Sequence, residues 1–336
     1  MYVLKYLLLT LGGITFFLLG LKFMSENMEK LAGEKMQKVL KSFTKTPVSG
    51  VMTGALTTAL LQSSIATNVI TVGFVSSGIL TFYSASAIVM GANIGTTVTA
   101  QLLSLSGSSG FDITALGSLI AFIGFILSFF KNDKLNSLGC VMAGFGMLFF
   151  GLDVVSSSVS YFKNFEQFRK VFLVESNFVL LLNGILITAV IQSSSAVTGV
   201  MIILASNGLL SFESSMFLIL GANIGTCFSV IIASSSKPAE ARRVAYFNIL
   251  FNAVGTIILF LPLSLFKSQI GGWFLGFSGN IERAIANFHT LFNLLVTVVL
   301  LPILKPFTTL ISLIVRDKSQ KDNQNALNVY KYNDII

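Results

Sequence analysis

Gln62-Ser63-Ser64 returns as Gln192-Ser193-Ser194, and Gly91-Ala92-Asn93-Ile94-Gly95-Thr96 returns as Gly221-Ala222-Asn223-Ile224-Gly225-Thr226, at one constant spacing of 130 residues. The windows that hold them, residues 54–100 and 184–230, align without a gap and agree at 19 of 47 positions. Agreement is concentrated in short polar runs, Ser76 and Gly78 against Ser206 and Gly208 among them, so it exceeds what shared apolar composition would give. The chain is an internal duplication of a unit that carries polar residues into apolar surroundings.

Those surroundings set the class. Of the 336 residues 54% are hydrophobic and 11% charged, where a soluble domain has about 25% charged. Apolar segments of spanning length recur at residues 7–24, 113–130, 139–152, 244–262 and 284–301, as in a polytopic helical membrane protein. The alternating segments of about ten residues that mark a membrane barrel are absent. Lys5 ahead of an apolar run could mark a secretory leader, but no small-residue cleavage site follows, and Phe17-Leu18-Leu19-Gly20-Leu21 is echoed by Phe149-Phe150-Gly151-Leu152. The run is read as a first span.

The net charge of +8 does not suggest nucleic acid, because the Lys residues lie between spans without interleaved aromatics. Cys140 and Cys227 both fall in apolar helical context and read as packing residues, Trp273 as an interfacial anchor, and His289 as a core histidine. Residues 25–46, rich in Lys and Glu, have the spacing of an amphipathic helix on the bilayer surface.

Around the first Gln-Ser-Ser, residues 51–61 and 65–75 are apolar but too short to span, so a re-entrant helical hairpin with its tip at 62–64 is expected. Residues 81–103 form a span interrupted by Gly91, Asn93, Gly95 and Thr96, expected to unwind between two half-helices. The second half repeats the order, with a surface segment at 156–176, a tip at 192–195 and a broken span across 221–226. A Gly-rich loop holding Trp273 then leads to the extra span at 284–301.

A hairpin adds no net crossing, so each half crosses three times and the second enters upside down. The expected fold is an all-α polytopic membrane protein of two inverted-topology repeats, each with a re-entrant hairpin and a broken transmembrane helix. Its divisions are residues 1–134, 135–263, a loop with an extra transmembrane helix at 264–315, and a short tail at 316–336. This topology puts 16 of the 22 Lys and Arg on one side, which the positive-inside rule makes cytoplasmic. The N-terminus is then outside the plasma (inner) membrane and the C-terminus inside.

Inverted repeats with discontinuous helices are a transporter signature. Helix N-termini beyond the two tips aim free N–H groups at one point, where anions bind. Freed carbonyls at 93–96 and 223–226, with Ser, Thr and Asn oxygens, suit a hard monovalent cation such as sodium. No Arg or Lys lies within residues 48–109 or 178–235, so an anion would sit among neutral donors and would need co-bound cations. A proton relay lacks suitable residues, since Glu213 and His289 are isolated, and an enzyme lacks a base beside its serines. A channel, or a carrier of sulfate or a carboxylate, shares these features.

The paired Gln-Ser-Ser tips and paired GANIGT runs resemble the type II sodium-dependent phosphate cotransporter family, bacterial members included, over residues 10–305. The resemblance implies sodium-coupled import of inorganic phosphate by alternating access, with sodium as the coupling ion, no transition metal, a lipid bilayer as surroundings and room for a homodimer. It places phosphate on Gln62, Ser63, Ser64, Gln192, Ser193, Ser194 and Ser195. Sodium falls to Ser64, Thr67, Asn93, Thr96, Thr97, Ser194, Thr198, Asn223 and Thr226. One position departs from the family pattern, Ile65 standing where a third serine is usual, with Thr67 or Asn68 as substitutes; a second asymmetry between the halves is Cys227, which puts soft sulfur opposite Thr97. A further echo, Asn248-Ile249-Leu250-Phe251-Asn252 against His289-Thr290-Leu291-Phe292-Asn293, reads as hydrogen bonding between helices.

Overall fold

The computed structural model describes residues 2–42, 44, 46–107, 112–162 and 176–316. Among these the regular structure is helical, without strands. The α-helices are α1 (Tyr2–Ser42), α2 (Pro47–Leu61), α3 (Ser64–Ser76), α4 (Phe82–Leu103), α5 (Ile113–Leu127) and α6 (Asp133–Phe162), then α7 (Asn177–Ile191), α8 (Ser194–Ser206), α9 (Phe212–Ser234), α10 (Ala239–Ser278), α11 (Ile281–Leu300) and α12 (Leu304–Ile314). Six of them, α1, α4, α6, α9, α10 and α11, are long and apolar enough to cross a membrane. The chain is a multi-pass helical membrane protein.

The duplication is visible in local geometry. Thr46 caps α2, accepting from Ser49 N–H, and Ser176 caps α7, accepting from Val179 N–H. α3 and α8 end two residues before glycines in the left-handed region, Gly78 (φ 73°) and Gly208 (φ 70°). There the Ile79 and Leu209 amides close the helix ends on the Phe74 and Leu204 carbonyls at 2.8 and 2.9 Å. The repeated Ser76/Gly78 and Ser206/Gly208 pairs therefore mark two identical turns. α4 follows the first and α9 the second, with Thr81 and Ser211 as caps.

Three expectations are corrected. α4 and α9 are continuous across the GANIGT runs, not broken. Asn93 Nδ2 donates to the Val89 carbonyl at 2.9 Å, and Thr96 and Thr226 hydroxyls donate to the Ala92 and Ala222 carbonyls, each at 3.0 Å. These polar side chains bond back onto their own helix instead of interrupting it. The glycines serve close approach: a Cβ on Gly91 would lie 1.9 Å from the Val51 carbonyl oxygen of α2, and one on Gly221 would lie 2.1 Å from that of Leu181 on α7. Small residues let two membrane helices pack backbone to backbone.

Second, the Lys- and Glu-rich segment is not a separate surface helix, because α1 runs unbroken through it to Ser42. Between Met24 and Ser42 no proline interrupts a stretch rich in Lys, Glu, Met and Leu, which favours helix. Third, the Gly-rich loop around Trp273 is helical and belongs to α10, which bends at Phe266 (φ −121°, ψ 25°). A Cβ on Gly271 would lie 2.7 Å from Glu213 Oε1, so this glycine too marks a packing contact. The surface segment expected at 156–176 is helical as far as Phe162, and residues 163–175 lie outside the described set. So does the polar tail from residue 317.

α1 and α6 pack in opposite directions. A Cβ on Gly13 would meet Val155 and Gly151, whereas one on Gly20 would meet Leu148 and Gly144. Gly13 and Gly20 share their spacing with Gly144 and Gly151, so the contact is self-complementary. α2 and α4 instead run side by side in the same direction, Gly54 against Ile88 and Gly95 against Ala55 and Thr58.

Gly91→Ala is expected to destabilise the protein by about 1–3 kcal/mol through overpacking of backbone on backbone. Gly12→Ala, where an added methyl meets nothing within 4 Å, should leave stability unchanged or raise it. Thermal unfolding in detergent separates the two, and equal midpoints would remove the close-packing explanation of the GANIGT glycines.

Candidate functional site

The α2–α3 and α7–α8 pairs each turn through one glutamine. Gln62 (φ 54°) and Gln192 (φ 59°) are the non-glycine residues with positive φ among those described. The left-handed conformation is uncommon for a side-chain-bearing residue and concentrates at functional sites. Ser63 and Ser193 follow in extended conformation and cap the next helices, their Oγ atoms accepting from Ala66 and Ala196 N–H at 3.1 and 3.2 Å. The first amides of α3 and α8, on Ser64 and Ile65 and on Ser194 and Ser195, have no carbonyl one turn earlier within the helix.

Both tips open into one cavity of about 430 Å³. Gln62, Ser63, Ser64 and Ile65 line it from one half, and Gln192, Ser193, Ser194, Ser195 and Thr226 from the other. All seven residues expected to face phosphate therefore share a single cavity. Two helix N-termini and their hydroxyls converge there without a lysine or arginine from either duplicated window, an arrangement suited to an oxyanion.

The two tips differ in support. Gln62 is half-buried and fixed at both ends of its amide, Nε2 donating to the Ala59 carbonyl at 2.6 Å and Oε1 accepting from Thr99 at 2.7 Å. Gln192 is exposed, and Ser229, which matches Thr99, has a buried hydroxyl without a hydrogen-bond partner. Thr99 was not singled out from the sequence, although a hydroxyl in both copies was a readable signal. Lys22 of α1 also lines the cavity. It falls outside both windows, so the duplication gave no reason to select it.

The residues expected to hold sodium divide into groups. Ser64, Ser194 and Thr226 reach the cavity. Thr67 is buried beside it, accepting from Thr58 at 2.9 Å and donating to the Ser63 carbonyl at 3.1 Å. Its counterpart is Val197, and Thr188, the match of Thr58, is a buried hydroxyl without a partner. Asn68 Oδ1 and Thr198 Oγ1, at matching positions of α3 and α8, are likewise buried without a partner. Thr97 donates to the Ile94 carbonyl at 2.8 Å. With α4 and α9 continuous, the carbonyls expected to be freed at 93–96 and 223–226 stay within their helices.

Asn93 and Asn223 lie in a buried polar layer between helices. Asn93 Nδ2 donates to Asn248 Oδ1 (3.1 Å) and Asn93 Oδ1 accepts from Asn252 Nδ2 (3.2 Å), both of α10, and Asn252 also donates to Cys227 Sγ at 3.4 Å. Asn223 Oδ1 meets His289 Nε2 of α11 at 3.1 Å. The echo between residues 248–252 and 289–293 thus pairs each sequence with the asparagine of one GANIGT run, and the expected interhelical bonding is present. His289 Nδ1, Asn293 Oδ1 and Asn252 Oδ1 remain without partners.

A multi-pass helical protein whose two duplicated tips converge on one cavity lined by their glutamines and serines has the arrangement expected of a membrane transporter. The chain belongs to the Na+/Pi-cotransporter family, whose model matches residues 16–157 and 164–281. This is a family of transporters, not of enzymes. The chain is 30% identical over 307 residues to YqeW of Bacillus subtilis (strain 168), an uncharacterized protein, covering 91% of this chain and 97% of YqeW. It is 29% identical over 324 residues to YjbB of Escherichia coli (strain K12), whose name provisionally assigns inorganic phosphate export. That match covers 95% of this chain and 57% of YjbB. Human sodium-dependent phosphate transport protein 2B is 37% identical over 101 residues, 30% of this chain and 15% of that protein. No solved structure matches the chain.

Proposed function

We propose that the chain is a secondary active transporter that couples sodium to the movement of inorganic phosphate by alternating access. The observation that carries this reading is the convergence of the Gln62-Ser63-Ser64 and Gln192-Ser193-Ser194 tips on one cavity. Phosphate takes the free amides and hydroxyls of the tips. Sodium takes oxygens beside them, from Ser64, Ser194, Thr226 and the buried Thr67 and Thr198. Thr226 donates its proton to its own helix and keeps its lone pairs for a cation, Thr67 keeps one beyond the bond it accepts from Thr58, and Thr198 Oγ1 is buried without a partner. Asn93, Asn223, Thr96 and Thr97 position these helices.

Import follows from an inward sodium gradient. Export is the second reading, favoured by the name of the Escherichia coli relative. Phosphate uptake into proteoliposomes with sulfate or a dicarboxylate as competitor tests the substrate. Inhibition by sulfate equal to that by unlabelled phosphate would replace phosphate with a broader anion class.

In this reading the halves are inverted repeats and α2–α3 and α7–α8 are re-entrant hairpins. The opposed packing of α1 on α6 through matching glycines supports the inversion. At 1.5 Å per residue, helices of 15 and 13 residues reach about 20 Å, short of the 30 Å hydrocarbon core. The crossing count also requires α5 to span, and since α5 has the same 15 residues as α2, it is the polar tips and not helix length alone that mark α2–α3 and α7–α8 as re-entrant.

A background carrying Cys140→Ser and Cys227→Thr tests this, with Ser77→Cys or Ser206→Cys added singly; both positions are exposed. An impermeant thiol reagent on intact cells is expected to label Ser206→Cys and spare Ser77→Cys. Inside-out vesicles should reverse the pattern. Labelling of both from one face would end the inverted-repeat model.

A further inference from the structure

We propose that Lys22 is the charge-recognising residue of the tip cavity, an affinity determinant for the anion that acts from one mouth only. The inference rests on the phosphate reading above and deepens it. The walls of the cavity are neutral polar and apolar side chains, and Lys22 is its only lysine or arginine among the described lining residues. A single cation at the edge of a low-dielectric cleft focuses its field inward and raises the local concentration of anions. Lysine, a compact point charge on a flexible stem, suits that task.

The plain alternative is an ordinary surface ion pair with Glu26, one turn along α1. The geometry argues against it. The Nζ to Oε1 distance is 3.7 Å, and the two side chains are 62% and 53% exposed. Exposed pairs of this kind contribute little, and a lysine N-terminal to its glutamate is the weaker order on a helix. The ammonium is not committed to Glu26. Ser25, three residues on from Lys22 and itself lining the cavity, donates to the Leu61 carbonyl at 3.2 Å, which ties this turn of α1 to the last residue before the first tip. The cation is thereby held beside the tips although its side chain is exposed.

The device is one-sided. Aligning Gly20-Leu21 with Gly151-Leu152 puts Asp153 at the place of Lys22, so the second half offers a carboxylate where the first offers an ammonium. An anion approaching from the Lys22 side meets attraction that the other side does not provide.

The test uses the background with Cys140→Ser and Cys227→Thr, to which Lys22→Cys is added. Labelled inorganic phosphate is measured in equilibrium binding to the detergent-solubilised protein and in transport by proteoliposomes. Lys22→Cys should weaken phosphate binding and raise about tenfold the KM for phosphate presented on the Lys22 side, with little change in maximal rate, the scale of one lost charge-assisted contact. A cationic methanethiosulfonate applied from the Lys22 side should restore most of the affinity, and an anionic one should lower it further. Asp153→Asn should not alter affinity from the Lys22 side. Equal effects of the two reagents, or unchanged binding in Lys22→Cys, would overturn the proposal. Phosphate binding by the background protein without transport would overturn the transport reading and leave the Lys22 assignment standing on the binding ratios. Absence of phosphate binding by the background protein would overturn both.

Discussion

Phosphate uptake into proteoliposomes is expected to fall at least about a hundredfold when external sodium is replaced by potassium, and an inward proton gradient should not restore it. An unpaired anion withdrawn from water as the cavity closes over it carries a desolvation penalty of several kcal/mol, and each 1.4 kcal/mol is a factor of ten in an equilibrium constant. Neutral tips and two helix N-termini offset part of that penalty, and Lys22 at the edge offsets a little more. Co-bound cations must supply the rest. Protons are poor candidates, because no carboxylate or histidine lines the cavity among the described residues. Glu213 lies in the first turn of α9 against Gly271, and His289 is buried in the layer behind, bonded to Asn223. Initial rates in sodium, potassium and choline media, each with and without a pH gradient, decide it. Uptake in potassium equal to that in sodium would end the coupling claim.

The duplication and the two tips were legible because polar residues at matching places in apolar sequence have few packing explanations. The helical class followed from span length and from the scarcity of charge. The GANIGT runs misled for a definite reason: Gly, Asn and Thr disfavour helices in water. In a membrane helix the same residues allow close approach and bond back to carbonyls one turn earlier. Gly91 against Val51 and Asn93 onto Val89 therefore look like a break and form a joint. The length of α1 was misjudged because charge was taken as the end of a span, whereas charge ends burial in lipid and not the helix. Thr99, Asn248 and His289 could be tied to the tips and the GANIGT asparagines only through space. Their partners lie 37, 155 and 66 residues away, and no spacing rule predicts such pairs.

Ser64→Ala and Ser194→Ala are each expected to lower transport at limiting phosphate by more than about tenfold, since a lost hydrogen bond to a charged ligand costs about 1.5–3 kcal/mol. The neighbouring serines show why these two were chosen. Ser63 and Ser193 hold the N-termini of α3 and α8, so their removal would cost about 1 kcal/mol of cap stability as well and confuse ligand loss with local unfolding. Ser64 and Ser194 stand one position on, line the cavity, and cap nothing. Their loss should spare the unfolding midpoint while raising the phosphate concentration needed for half-maximal uptake. Ser76→Ala, at the far end of α3 and repeated in the second half as Ser206, controls for the packing role that small polar residues commonly have in membrane helices. If the site assignment holds, both tip variants lose uptake and Ser76→Ala does not. Ser194→Ala should be the milder of the two, because Ser195 supplies a neighbouring hydroxyl where the first half has Ile65. Normal transport by both tip variants at limiting phosphate would return these serines to a packing role and leave the cavity without an assigned ligand.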